Sequence, residues 1–420
     1  MTLILALLMP LMLVFSVSAS DEHTDVQLVI PCQKQALANS MRCLETSDGD
    51  YERIARLRNW VASNLAYFGD GKGAIATLRG TKRQYHVPSG CVDAGTIFLG
   101  YGQKQVVGDL LSIALDELPY TLGHSPELIQ FQILKLATAI DNASAVQRAW
   151  ECEKLTGAKL KQSYQLFLKE WKPSIWRMIL DRLSWKSGVK NFSKVITRDE
   201  EIALKGKQTA DYFTCLLLIR AAESRLREKQ QYPSLWIRSV EDAIRSPAFN
   251  TRPAGLSSEL AKLACLERRP QDALLLVEQT WTLLGEWAPQ MTGISRIEAD
   301  LAMTLSVIPE CQRMQDVAKK RIGKRSAIIT QLLNPYELMI ELPILAEASW
   351  HLGEREEAQK NWKLATDLCA QNQNPESQSA GLTRIWMSYA RSNSWPTKET
   401  EERLQKIEKQ LPAAYSKVNF

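Results

Sequence analysis

The residues able to do chemistry are few and scattered along this 420-residue chain. Its four histidines are His23, His86, His124 and His351, and none stands four residues from another. No helix turn therefore offers a histidine pair to a metal. Eight cysteines, Cys32, Cys43, Cys91, Cys152, Cys215, Cys265, Cys311 and Cys369, form neither a CxxC pair nor a Cys/His cluster at zinc spacing. No serine or cysteine stands beside a base in a recognisable setting, so nucleophilic catalysis has no support. Gly69-Asp70-Gly71-Lys72-Gly73 is glycine-rich but lacks the spacing of a phosphate loop and follows a helix rather than a strand. It reads as a turn. Acidic runs such as Glu356-Glu357 and Asp199-Glu200-Glu201 suit exposed helix starts, where they meet the positive end of the helix dipole. A glycosidase carboxylate pair could be drawn from such residues, since sequence does not fix their separation. Neither cofactor nor metal is expected.

Two basic clusters are candidates for contact with an anionic surface. The first runs from Lys169 to Arg198 and holds Lys169, Lys172, Arg177, Arg182, Lys186 and Lys190, with Trp171, Trp176, Trp185 and Phe192 interleaved. A basic aromatic helix can lie on an anionic membrane or grip an anionic glycan. Equally, the tryptophans can plug gaps between helices while the cations stay solvated, and that is the preferred expectation. The second cluster is Lys319, Lys320 and Arg321 with Lys324 and Arg325, read as a helix end flanking a turn at Gly323. Cations there complement the helix dipole.

The composition belongs to a folded protein. Hydrophobic residues make up 45% and charged residues 24% of the chain, with a net charge of +5. Both fractions are normal for globular domains, and the charge is too small and too dispersed for a nucleic-acid partner. The pI is about 8.6, whereas nucleic-acid-binding domains concentrate a basic face above about 9. Leu3 to Val17 is uncharged and precedes Ser18-Ala19-Ser20, the pattern of a secretory signal cleaved near residue 20. The alternative is an uncleaved N-terminal membrane anchor. The cysteines sit in apolar helical patterns such as Tyr212-Phe213-Thr214-Cys215-Leu216, most of them more than forty residues apart. They are expected to be free buried thiols.

From Pro31 onward, apolar residues recur at three- and four-residue steps, as in Leu128, Phe131, Leu134 and Leu136. Breaks are short: Gly69 to Gly73, Gly100-Tyr101-Gly102, Arg269-Pro270, Gly353-Glu354. Short links make consecutive helices antiparallel neighbours. A common frame recurs around turns at Gly69, Gly102, Ile140, Arg268 and Gly353. Five residues later stand Ala74, Val107, Ala145, Ala273 and Ala358, and seven further on the small Thr81, Ala114, Cys152, Thr280 and Ala365. Seven residues before the turns stand Ala62, Gly95, Ile133, Ala261 and Ala346. Small residues let two helices approach, while larger ones such as Leu111, Val277 and Trp362 fill grooves between pairs. The segment from Leu345 to Ala358, LAEASWHLGEREEA, carries the frame most clearly and resembles the tetratricopeptide repeat.

The resemblance implies an all-α fold, a right-handed α-solenoid of antiparallel hairpins. It also implies a non-enzymatic scaffold for a protein or peptide partner. Alternatives are an envelope or anionic-polymer binding protein, and a polysaccharide-acting enzyme in a helical fold. The expected organisation is a signal segment over 1–20, repeats over 21–160, a degenerate stretch over 161–255 and further repeats over 256–420.

Overall fold

The computed structural model describes residues 31–32, 35–36, 38–39, 51–79, 86–120, 126–151, 212–245, 253–285, 294–309 and 311–411. The signal segment and the basic tryptophan-rich stretch from Lys169 to Arg198 lie outside the described residues. Among the described residues there are sixteen α-helices and no strand, so the chain is all-α as its periodicity predicts.

The chain divides into two compact units, one over Gly49–Glu259 and one joining Met1–Asp48 to Leu260–Phe420. The first contains α1 (Tyr51–Tyr67), α2 (Gly71–Arg79), α3 (Val87–Gly100), α4 (Lys104–Glu117), α5 (Pro126–Ala139), α6 (Ala143–Glu151), α7 (Tyr212–Arg227) and α8 (Ser234–Arg245). Each odd-numbered helix packs on its successor, α1 also on α3, and α3 on α5. A second layer forms as α2 packs on α4 and α4 on α6, while α7 lies against both α3 and α5.

The division falls inside α9 (Pro253–Leu266). The second unit continues with α10 (Pro270–Leu284), α11 (Ile294–Ser306), α12 (Gln312–Leu332), α13 (Pro335–His351), α14 (Arg355–Gln371), α15 (Pro375–Arg391) and α16 (Lys398–Gln410). There α11 packs on α13 and α13 on α15, while α14 packs on α13, α15 and α16. Proline opens α5, α9, α10, α13 and α15, where its missing N–H costs nothing and its fixed φ suits the first helical residue. Asn334 and Glu337 close a reciprocal capping box at the start of α13.

One turn ends seven helices. Residues with φ between 45° and 80° stand at Gly69, Gly102, Asp141, Lys229, Arg268, Gly353 and Asn393. At each, the following N–H reaches back to the carbonyl five residues earlier: Asp70 to Leu65, Gln103 to Phe98, Asn142 to Ala137, Gln230 to Arg225, Arg269 to Ala264, Glu354 to Ser349 and Ser394 to Tyr389, at 2.8–3.0 Å. This is the Schellman closure, which satisfies carbonyls the helix end leaves open. Four of the five turns expected from sequence are placed as read. The fifth falls at Asp141 instead of Ile140. Aspartate enters the left-handed region more readily than a β-branched residue, and Asn142 then caps α6 by accepting the Ala145 N–H at 3.0 Å. Val146 rather than Ala145 thus matches Ala74, Val107, Ala273 and Ala358. Lys229 and Asn393 were not foreseen. Gly323 is also different from the reading: it lies within α12 with open space about it and makes no turn.

The small-residue frame is the helix contact. Ala62, Ala74, Val107, Ala114, Ala261, Ala273, Thr280, Ala346, Ala358 and Ala365 are all fully buried. A Cβ built on Gly95 would lie 2.8 Å from Leu136 Cδ2 and 3.7 Å from Val107 Cγ1, so α3, α4 and α5 meet there with no room for a methyl. Trp362 fills a groove as expected. Its ring stacks 4.1 Å from that of Tyr389 on α15, and its indole N–H donates to Ser388 Oγ at 2.9 Å.

Candidate functional site

The recurring turn sets a register, and that register places polar groups on the first helix of each pair. Six residues before the turn stand Thr96, Lys135, Glu223, Lys262 and Glu347; nine before it stand Asp93, Arg220 and Glu259. Residues spaced by three share one helical face, so where both positions are polar they stand together on their helix.

In the unit over Gly49–Glu259, Arg220 donates to both Glu223 oxygens at 2.8 and 2.9 Å and pairs with Glu259 at 3.0 Å. Burial alone would lower the guanidinium pKa, but the two carboxylates outweigh it and raise it. Gly100, which ends α3, makes room for this group: its Cβ would lie 2.8 Å from Glu223 Oε2. Beside it the Tyr101 hydroxyl donates to the Tyr67 carbonyl at 2.8 Å, and the Arg227 guanidinium lies 5.4 Å from the Tyr101 ring centre. Burial and Tyr67 push the Tyr101 phenol up to about 12. On α3, Asp93 is solvent-accessible, yet the protein packed around it pushes its carboxyl up to about 6. Further along, Lys135 is fully buried, donates to Thr214 Oγ1 at 2.6 Å and lies over the Phe131 ring.

The second unit holds the longest ladder. Lys262 on α9 pairs with Asp300 on α11 at 3.0 Å. Arg296 grips Asp300 at 2.8 Å and Glu347 on α13 at 2.6 and 3.0 Å. Arg391 on α15 approaches the same Glu347 at 3.9 Å. Burial would raise both carboxyls, but Arg296 with Lys262 holds Asp300, and Arg296 with Arg391 holds Glu347, below the ordinary range. His351, one turn on from Glu347, is shifted down by burial against the pull of that carboxylate. Ile297 stands three residues before Asp300, and Ile340 and Ile344 stand seven and three before Glu347, so helical spacing sets these half-buried side chains on the faces that carry the two carboxylates. The face is thus a row of apolar side chains edged by fixed ion pairs. It can offer contact and charge, and its carboxylates are held ionised rather than poised to move protons.

The second basic cluster resolves into separate roles. Lys319 pairs with Glu354 at 2.9 Å, and Arg321 with Glu298 at 2.7 Å while lying over the Trp281 ring. Arg325 is buried, donates to Ser295 Oγ at 2.9 Å and faces Glu341 at 3.7 Å. Lys320 and Lys324 are exposed. All five lie on α12, but they do not form one basic face. Lys169, Lys172, Arg177, Arg182, Lys186 and Lys190 lie outside the described residues.

The sequence reading did not single out Arg220, Glu223, Glu259, Lys262, Arg296, Asp300, Glu347 or Arg391. The signal was available for most of them in the offset from the turn. The six described cysteines are free, and five are buried. Cys265 borders a cleft of about 300 Å³ between Arg268, Pro270 and Val307–Pro309, and burial pushes its thiol up to about 11. Among the described residues no cluster of His, Cys, Asp and Glu could hold a metal ion, and no helix is long and apolar enough to cross a membrane. Comparison with family models, curated proteins and solved structures finds no match for this chain.

Proposed function

We propose that the chain is a non-enzymatic helical-repeat scaffold, a right-handed solenoid of antiparallel hairpins that grips a protein or peptide partner. The observation that carries this reading is the stripe of Ile297, Ile340 and Ile344 edged by Arg296, Asp300, Glu347 and Arg391 on the first helices of successive pairs. An extended chain laid across such a stripe meets a charged group and an apolar contact at each pair. Repeat stacks use extended surfaces of this kind for binding.

The test is crosslinked capture from the envelope fraction of the exporting cell, comparing three proteins. Ile344→Asp places a charge on the stripe. Leu275→Asp alters a side chain that is 63% exposed on α10, away from it. Capture lost with the first and kept with the second supports the reading; equal capture by both variants and the parent refutes it. Export itself is part of the proposal and rests on the apolar run before Ser18-Ala19-Ser20. N-terminal sequencing that finds Met1 on exported protein would overturn cleavage near residue 20, and recovery of the protein from the cytosol alone would overturn export.

A further inference from the structure

The start of the described chain is seated on its end. Pro31, Cys32, Gln35, Ala36, Ala38 and Asn39 are helical, and they belong to the unit that contains α15 and α16. Cys32, Ala36 and Asn39 are each at most 1% exposed. With Gln35 they stand at the spacing of a single helical face that fills a groove. The groove is built from the end of α15, the Asn393 turn and α16. Cys32 Sγ donates to the Ser394 carbonyl at 3.5 Å. Glu408 on α16 takes the amides of both Gln35, at 2.7 Å, and Asn39, at 2.8 Å, while the Trp386 indole N–H holds the same carboxylate at 2.8 Å.

Three features mark this as a site with an occupant rather than as continuous core. The contacting residues lie more than 360 positions apart in sequence, so chain connectivity does not enforce the contact. The residues that enter the groove are small, Cys32 and Ala36, and contribute little apolar area. Specificity comes from one carboxylate that reads two amides one turn apart and is itself fixed by Trp386.

We infer that this groove is a receptor site for an amphipathic helix whose buried face reads small, amide, small, amide at positions i, i+3, i+4 and i+7, and that Cys32, Gln35, Ala36 and Asn39 occupy it in cis as an exchangeable plug. The site is separate from the stripe on the first helices and does not depend on that reading. A partner helix with the same face competes with the plug, so its apparent affinity is set by how firmly the plug is seated.

The test uses the full chain and a fluorescent peptide spanning residues 28–44. In Ala36→Glu, a charge replaces a buried methyl and expels the plug without touching the groove. In Gln35→Ala/Asn39→Ala, both amides that reach Glu408 are lost. Peptide anisotropy is expected to report binding to either variant at least tenfold tighter than to the parent. Adding Glu408→Gln to either variant should abolish that gain. Helical dichroism and thermal melting accompany each measurement. Equal binding to parent and variants, or no binding to variants that keep their helicity, overturns the inference. So does collapse of both variants, since the segment would then be an inseparable part of the core.

Discussion

Truncating Glu347 to alanine is the sharpest probe of the ladder. The carboxylate is fully buried and takes two hydrogen bonds from Arg296, with Arg391 at 3.9 Å. Removing one member of a buried pair costs about 3–5 kcal/mol, because the partner charge is left uncompensated. Two features bring the expectation to the low end. The Arg296 and Arg391 side chains are 27% and 18% exposed, and Arg296 keeps Asp300 at 2.8 Å. The expected loss is therefore about 3 kcal/mol, a fall of roughly 6–12 °C in melting temperature for a unit of this size. Glu347→Gln retains one acceptor and should lose about half as much by the same argument.

The assay is urea unfolding followed by tryptophan fluorescence, with Arg296→Ala and the double variant completing a cycle. Residues in one ion-pair network couple by about 0.5–3 kcal/mol. Losses that simply add, or a single-variant loss under about 0.5 kcal/mol, the usual range for surface changes, would refute the claim that the ladder holds the helices together. The pH dependence gives an independent check. Asp300 and Glu347 are held below their ordinary values, 3.8 and 4.5, when folded. Below those values the unfolded chain takes up protons that the folded one refuses, so stability is full above about 4.5 and is lost as pH falls through the folded values. Glu347→Ala should flatten part of that acid slope.

Three further outcomes follow from the geometry. Ala346→Phe or Ala358→Phe should each cost about 1–3 kcal/mol or more by overpacking α13 against α14, read as a lowered urea midpoint; unchanged midpoints would mean the small-residue frame is not the helix contact. Arg268, at φ 59°, and Gly353, at φ 80°, occupy the same turn position; Arg268→Gly should stabilise by about 0.5–1 kcal/mol and Gly353→Ala destabilise by about 1 kcal/mol, since a Cβ at Gly353 meets nothing and the penalty is purely conformational. Asp93 has a raised folded pKa, so its contribution is present below about 3.8 and declines as pH rises through about 6; discounted for its exposure, Asp93→Asn should gain only about 1 kcal/mol at pH 7 and nothing at pH 3.5 in thermal melts.

The helices were legible because their signals are local. Apolar steps of three and four residues, prolines at first positions and glycines at left-handed turns all act within one or two turns of chain. Where glycine is absent the signal weakens, so the turns at Lys229 and Asn393 escaped notice and the one at Asp141 was placed one residue early. Those residues tolerate the left-handed conformation without demanding it. The α12 cations show a different limit. Lysines and arginines close in sequence read as one basic patch, but a helix sends neighbours around its circumference. Lys319, Arg321 and Arg325 therefore meet three different glutamates, Glu354 in the turn before α14, Glu298 on α11 and Glu341 on α13. Pairing between positions such as Arg296 and Glu347, or Asn39 and Glu408, is a property of packing that local periodicity does not encode.

On the scaffold reading proposed above, the ladder also links stability to recognition. Arg296 on α11 and Arg391 on α15 converge on Glu347 of α13, so one carboxylate ties three helices that belong to successive pairs. A partner that presents a carboxylate to either arginine draws on charge already oriented and largely desolvated, and pays little to order those side chains. That partner also competes with Glu347, and any gain it makes is offset by whatever the carboxylate loses. Binding through the half-buried isoleucines carries no such offset. On that proposed reading the apolar contacts set affinity, and the ion pairs set register and reject partners whose charges fall out of step. Charge reversal at Arg391 should accordingly change which peptides bind more than how tightly the best one binds, and substitution at Ile344 should do the opposite. A peptide array probed with both variants separates the two effects. Uniform weakening by Arg391→Glu across the array would contradict this division of roles.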